Sequence, residues 1–118
     1  MELDNLSRDE ETMRCGNLIF RVTAQRVLVL ASNPVELALT PIEFRLLLHF
    51  ARHEGQVLSR EHLITHIWGG DIHVLDRTID THVSNLRRKI LHSDYEFRPS
   101  YGVGYSFSQK RSGERKNA

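Results

Sequence analysis

Two pairs of histidines stand four residues apart, His49 with His53 and His62 with His66. On a helix that spacing puts both rings of a pair on one face, where imidazoles chelate zinc-like ions. The second pair reads Glu61-His62-x-x-x-His66. A zinc protease instead needs its glutamate between the ligands, as His-Glu-x-x-His. The sequence places no cysteine or third ligand beside either pair, so they read as exposed helix histidines, with no metal site expected. The single cysteine, Cys15, has no neighbouring base to activate it. There is no nucleophile elbow, and Tyr101-Gly102-Val103-Gly104 is too short for a phosphate-cradling loop. The chain therefore reads as a non-enzyme that needs no cofactor.

The larger group of chemistry-bearing residues lies between Asp76 and Ile90. At 100° per residue, Ile79, Val83, Leu86 and Ile90 fall within about 40° of one line. The opposite face collects Arg77, Thr81, Ser84, Asn85 and Arg88, with Thr78 nearby. His82 and Lys89 lie on one flank, and Asp80 and Arg87 on the other. Thr, Ser and Asn are poor helix formers, and a generic exposed face would favour Glu, Lys and Ala. Short hydroxyl and amide groups between arginines suit close approach to nucleic acid. Asn pairs with adenine, the Thr methyl meets a thymine methyl, and Arg pairs with guanine or holds phosphate.

The elements that must position this face are legible in outline. Leu18–Val22, Arg26–Leu30 and Glu36–Leu39 are short apolar or β-branched runs, with Ser32, Asn33 and Pro34 separating the last two. They predict a small antiparallel sheet. Thr40-Pro41-Ile42-Glu43 is a capping box with proline at the first helical position. Ile42, Leu46, Leu47, Phe50 and Ala51 follow at helical spacing, and Gly55 ends the helix. A short extended Val57-Leu58 leads to Ser59, the expected cap of a second helix with Leu63, Ile64, Ile67 and Trp68 inward; Gly69-Gly70 closes it. Asp76 is the expected cap of the third helix, over residues 76–91. Phe97 on one side and Tyr105 and Phe107 on the other predict a hairpin over residues 96–108. The fold class is α+β: a winged helix-turn-helix with an N-terminal antiparallel sheet, three helices and a C-terminal hairpin wing.

A chain of 118 residues, 40% hydrophobic and 26% charged, suits one domain with a modest core. No apolar run approaches the roughly 18 residues that span a bilayer. The acidic start resembles neither a signal nor a transit peptide, and one cysteine suits a reducing cytoplasm. The net charge of +1 hides an asymmetry: residues 1–75 carry 7 basic and 10 acidic groups, residues 76–118 carry 9 and 5. A basic C-terminal part suggests an anionic partner on one side of the molecule. Residues 1–17 are expected to be disordered or the remnant of a linker, residues 18–108 the folded domain, and 109–118 a basic disordered tail.

Three stretches, LTPIEFRLLLHFARHEGQVLSREHLITHIWG, DRTIDTHVSNLRRKI and YGVGYSF, closely resemble the DNA-binding effector domain of OmpR/PhoB-type response regulators. The resemblance runs from about Leu18 to Ser108. It implies sequence-specific binding of double-stranded DNA that controls transcription, with the third helix in the major groove and the wing on the adjacent backbone or minor groove. By motif match, Arg77, Thr78, Asp80, Thr81, His82, Ser84, Asn85, Arg87 and Arg88 fall on DNA-contacting positions. Thr81, Ser84 and Asn85 are expected near bases, and Arg77, His82, Arg87 and Arg88 on phosphates. Asp80 would orient an arginine or accept from a cytosine amine.

The family's wing usually reads Thr-Val-Arg-Gly-x-Gly-Tyr. Here Pro99 replaces the threonine and Tyr101 the arginine, while Gly102, Gly104 and Tyr105 agree. A weaker wing contribution is expected, with Arg98, Ser100, Tyr101 and Gly102 as its contacts. The loop Gly70, Asp71, Ile72, His73 and Val74 matches a segment that touches RNA polymerase in family activators. The resemblance also implies tandem half-sites and a monomer that dimerises on DNA; the chain reads either as an effector domain cut from a parent protein with a receiver domain and sensor kinase, which its linker-like start favours, or as a stand-alone member. Two alternatives stand beside it: a winged helix that binds protein, for which apolar residues are expected on the third helix's outer face, and the cytoplasmic part of a membrane-anchored regulator.

Overall fold

Alternating apolar residues near the N-terminus pair into a sheet whose buried side chains join the core of the three helices. The computed structural model describes residues 11–111. Strands β1 (Thr12–Cys15), β2 (Leu18–Arg21), β3 (Arg26–Val29) and β4 (Val35–Glu36) form an antiparallel sheet in that order. Strand β1 lies inside the segment expected to be linker. Its polar, acid-flanked sequence hides it, but its register does not: Cys15 pairs with Leu18 and Met13 with Phe20. The two-residue turn Gly16-Asn17 closes the hairpin, Gly16 taking φ +54°. Asn17 then links this sheet to the C-terminal hairpin by accepting from the Asp94 N–H at 2.7 Å. The expectations for residues 1–10 and 112–118 lie outside the described residues.

Helix α1 (Pro41–Arg52) begins as its sequence dictates. The Glu43 N–H donates to the Thr40 hydroxyl at 3.1 Å, and the Thr40 N–H donates to the Glu43 carboxylate at 2.9 Å. The helix stops at Arg52, with His53 as its C-cap. Gly55, three residues on, takes φ +85° and ties its N–H to the Phe107 carbonyl. Strand β5 (Leu58–Ser59) runs directly into helix α2 (Arg60–Trp68), whose cap is Ser59, with the His62 N–H donating to its hydroxyl at 3.0 Å. Gly69 closes α2 in the left-handed conformation.

Helix α3 spans Asp76–Lys89. Its cap is Leu75, not Asp76, and no side chain caps it. Leu75 holds the extended conformation that a cap requires, which leaves Asp76 in the first turn, where a carboxylate favours the helix dipole. Ile79, Val83, Leu86 and Ile90 are all buried. Strands β6 (Tyr95–Ser100) and β7 (Gly104–Gln109) form the hairpin, one residue longer at each end than the sequence predicts. β5 joins its other edge, giving the order β5-β7-β6. Gly104 permits that junction: a Cβ there would lie 2.0 Å from the Leu58 carbonyl oxygen.

Phe20, Phe50, Phe107, Leu46, Leu47 and Leu63 centre one core shared by both sheets and the helices. Cys15 belongs to it, and burial together with nearby Glu54 pushes its thiol pKa up, so it stays protonated. Among the described residues no helix is long and apolar enough to cross a membrane.

Candidate nucleic-acid interface

The outer face of α3 is set by what holds its two flanks. On one flank, Lys89 donates to the buried Glu43 carboxylate at 2.6 Å, fixing α3 to the start of α1. Burial alone would raise the Glu43 pKa; the Lys89 bond and the Thr40 N–H outweigh it and lower it. On that flank the His82 ring also lies 5.5 Å from Trp68, and its Nδ1 is buried without a hydrogen-bond partner.

The other flank meets the wing. Asp80 accepts from the Tyr105 hydroxyl at 2.6 Å and from Arg60 Nε and Nη2 at 2.9 and 2.8 Å. The tyrosine bond and then the arginine hold the Asp80 carboxyl below its usual range; burial and Asp80 push the Tyr105 hydroxyl up. Arg87 donates to the Phe97 carbonyl at 3.3 Å and lies 5.6 Å from the centre of the Tyr105 ring. One carboxylate thus joins α2, α3 and the wing. Of the two roles the sequence offered Asp80, orienting an arginine is the one seen, and that arginine comes from α2. Sequence reasoning missed Arg60, although a lone carboxylate on an otherwise cationic and hydroxylic surface was a hint of an unseen partner.

Between these flanks Arg77, Thr81, Ser84 and Arg88 are exposed, and Thr78 and Asn85 half-exposed; Arg87 is exposed on the wing flank. The Thr81 hydroxyl donates back to the Arg77 carbonyl at 3.0 Å, a bond internal to the helix. Arg88 donates to the Asn85 side-chain oxygen at 2.5 Å. No large apolar side chain on this face is among the exposed ones.

The wing tip differs. Arg98 donates to Glu96 at 2.8 Å and to the Gln109 carbonyl at 3.1 Å, so the hairpin itself uses its guanidinium. Tyr101 is 94% exposed beside Gly102, at φ +78°, and the half-exposed Val103; Ser100 accepts from the Val103 N–H at 2.9 Å. In the loop before α3, the Gly70 N–H donates to the Ile64 carbonyl at 3.0 Å, while Asp71 accepts from the His73 N–H at 2.9 Å. The Val74 N–H bonds back to Asp71, leaving Ile72 at 87% exposure.

A family model described as "Transcriptional regulatory protein, C terminal" matches residues 34–107. The chain belongs to the OmpR/PhoB-type effector domains. It is 35% identical over 103 residues to the phosphate regulon transcriptional regulatory protein PhoB of Klebsiella pneumoniae, covering 86% of this chain and 44% of PhoB. The chain therefore spans under half the length of that relative. The DNA-binding domain of CpxR from E. coli superposes with a TM-score of 0.68 at 34% identity, over 86% of this chain and 99% of that one. The RstA DNA-binding domain of Klebsiella pneumoniae, solved with its RstA box, gives 0.70 at 27% identity, over 83% and 97%. Membership makes this effector domain a regulatory unit, not an enzyme.

Proposed function

We infer that this effector domain binds double-stranded DNA sequence-specifically and thereby controls transcription, with α3 in the major groove. The observation that carries this reading is α3's outer face, where exposed hydroxyl and guanidinium groups stand on a helix anchored along both flanks. An anchored helix loses little further freedom on docking, so its contacts register as affinity. Thr81 spends its hydroxyl on the Arg77 carbonyl and keeps its methyl for a thymine; Ser84 and Asn85 complete the base-reading set with Thr78 beside them. Arg77, Arg87, Arg88 and His82 take phosphates. Asp80 acts through Arg60, not on a base.

The wing contributes contact more than charge. Ser100, Tyr101 and Gly102 touch the backbone, and Arg98 is spent within the hairpin. The loop Gly70–Val74, with Ile72 outermost, is the proposed contact for RNA polymerase. Tandem half-sites, dimerisation on DNA, a receiver domain and sensor kinase in the parent protein, and a cytoplasmic location belong to the same reading.

Selection from a random duplex library, followed by fluorescence anisotropy at two salt concentrations, tests it. A short motif enriched in tandem, and preferred over random duplex at the higher salt, is the expected result. No enrichment, with binding lost at the higher salt, would reduce α3 to a general polyanion surface.

A further inference from the structure

Along the chain the histidines stand as two separate pairs; the fold makes them one cluster. His49 and His53 lie on α1, His62 and His66 on α2. The His49 and His62 Nε2 atoms face each other at 2.8 Å. The His62 and His66 rings stack at 4.0 Å between centroids, His49 and His53 lie 4.4 Å apart, and His49 and His66 5.4 Å.

We propose that His49, His53, His62 and His66 form a binding site for one divalent transition-metal ion of the imidazole-preferring kind, Zn(II), Ni(II) or Cu(II), clamping α1 to α2. The ligand atoms follow from hydrogen bonding. His53 Nδ1 lies 2.8 Å from the His49 carbonyl, and His66 Nδ1 lies 3.0 Å from the His62 carbonyl. A carbonyl only accepts, so each Nδ1 carries the proton and each Nε2 keeps its lone pair. This is how metal-binding histidines are commonly oriented. His49 and His62 already aim Nε2 at one another across the gap between the helices. In a neutral pair so placed one Nε2 carries the proton that the other accepts; as a metal ion binds, that proton moves to the Nδ1 of its own ring, and both Nε2 lone pairs face the ion.

The spacing fits. With an imidazole nitrogen about 2.1 Å from zinc, the ring centre sits about 3.2 Å away, and two ligands at a tetrahedral angle have centres about 5 Å apart. The separations of 4.0 to 5.4 Å bracket that value, and His53 to His62, at 6.1 Å, needs the largest inward turn. As the side chains stand, no group of three or more His, Cys, Asp or Glu among the described residues could hold a metal ion, so the four rings must turn to bring their Nε2 atoms together. The site closes by ring rotation as the ion enters.

Zinc chloride titrated calorimetrically into the untagged 118-residue chain at pH 7.5 tests the proposal, with melting followed with and without zinc. The expected result is one equivalent bound, a raised melting temperature, and shifted Nε2 resonances of cluster histidines in nitrogen-detected NMR. The variant His53→Gln/His66→Gln changes the two outer ligands and spares the more buried His49; it should bind at least about tenfold more weakly. His92→Gln, outside the cluster, should bind as the parent does. Absence of zinc binding, undiminished binding in the double variant, or equal loss in His92→Gln would each overturn the site.

Discussion

The outer face of α3 and the tip of the wing share Asp80 as a hinge pin, yet they are equipped in opposite ways. The α3 face presents arginines, hydroxyls and an amide from a helix whose Lys89 and Asp80 tie it down on both sides. The wing presents Tyr101 and Val103, while its own arginine is consumed by Glu96 and the Gln109 carbonyl. Arg98 is paired with a carboxylate that offsets its charge, whereas Arg87 and Arg88 bond only to a carbonyl and an amide oxygen and keep theirs. The difference teaches that counting basic residues overstates the wing and that α3 carries the electrostatics.

The most damaging way to break the comparison is through the backbone. Gly104→Ala drives a methyl into the Leu58 carbonyl and forces β5 from β7. We expect a stability loss of about 3 kcal/mol and a melting temperature lower by on the order of 10 °C or more in calorimetry. A variant that melts like the parent would show that this junction yields. Next is the α3 face itself. Arg77→Ala and Arg88→Ala should each weaken specific duplex binding severalfold and lower the salt slope by about 1, with melting unchanged. If both variants bind like the parent, α3 is not the docking helix.

Asp80→Asn sharpens the comparison by loosening both regions together. The Asp80 carboxyl is held below its unfolded value near 3.9, so its contribution is complete above that pH and is lost as the pH falls through the folded value. Its side chain is 43% exposed, so solvent screening limits the effect to under about 1 kcal/mol. Melting curves of parent and variant should differ at pH 6 and converge toward pH 3; a gap that persists in acid would assign the effect to packing. The smallest change is expected from Tyr101→Ala, less than about twofold in affinity with an unaltered salt slope, whereas Tyr101→Arg should steepen that slope by about 1.

Much of this was legible in the sequence because it is local. The Thr40–Glu43 box, the Ser59 cap and the Ile79-Val83-Leu86-Ile90 stripe each depend on residues within a turn or two, and all were found where expected. Strand β1 was not, since its outward residues are polar and its acidic approach resembles a linker; the Gly16-Asn17 turn was the signal available. Asp76 suits a cap by residue type, but the extended backbone at Leu75 decides which residue is outside the helix.

The sequence by itself determined the fold class, the polar outward face of α3 and the replacement of the wing arginine by Tyr101, since periodicity and residue type suffice for these. Only the tertiary structure decided which polar groups remain available. It spends Asp80 on Arg60 and Tyr105, Lys89 on Glu43 and Arg98 on its own hairpin, and it brings four histidines from two helices together. The physical reason is that a side chain's partner is fixed by distance in space, and residues 20, 25 or 46 positions apart become neighbours only once the core has closed.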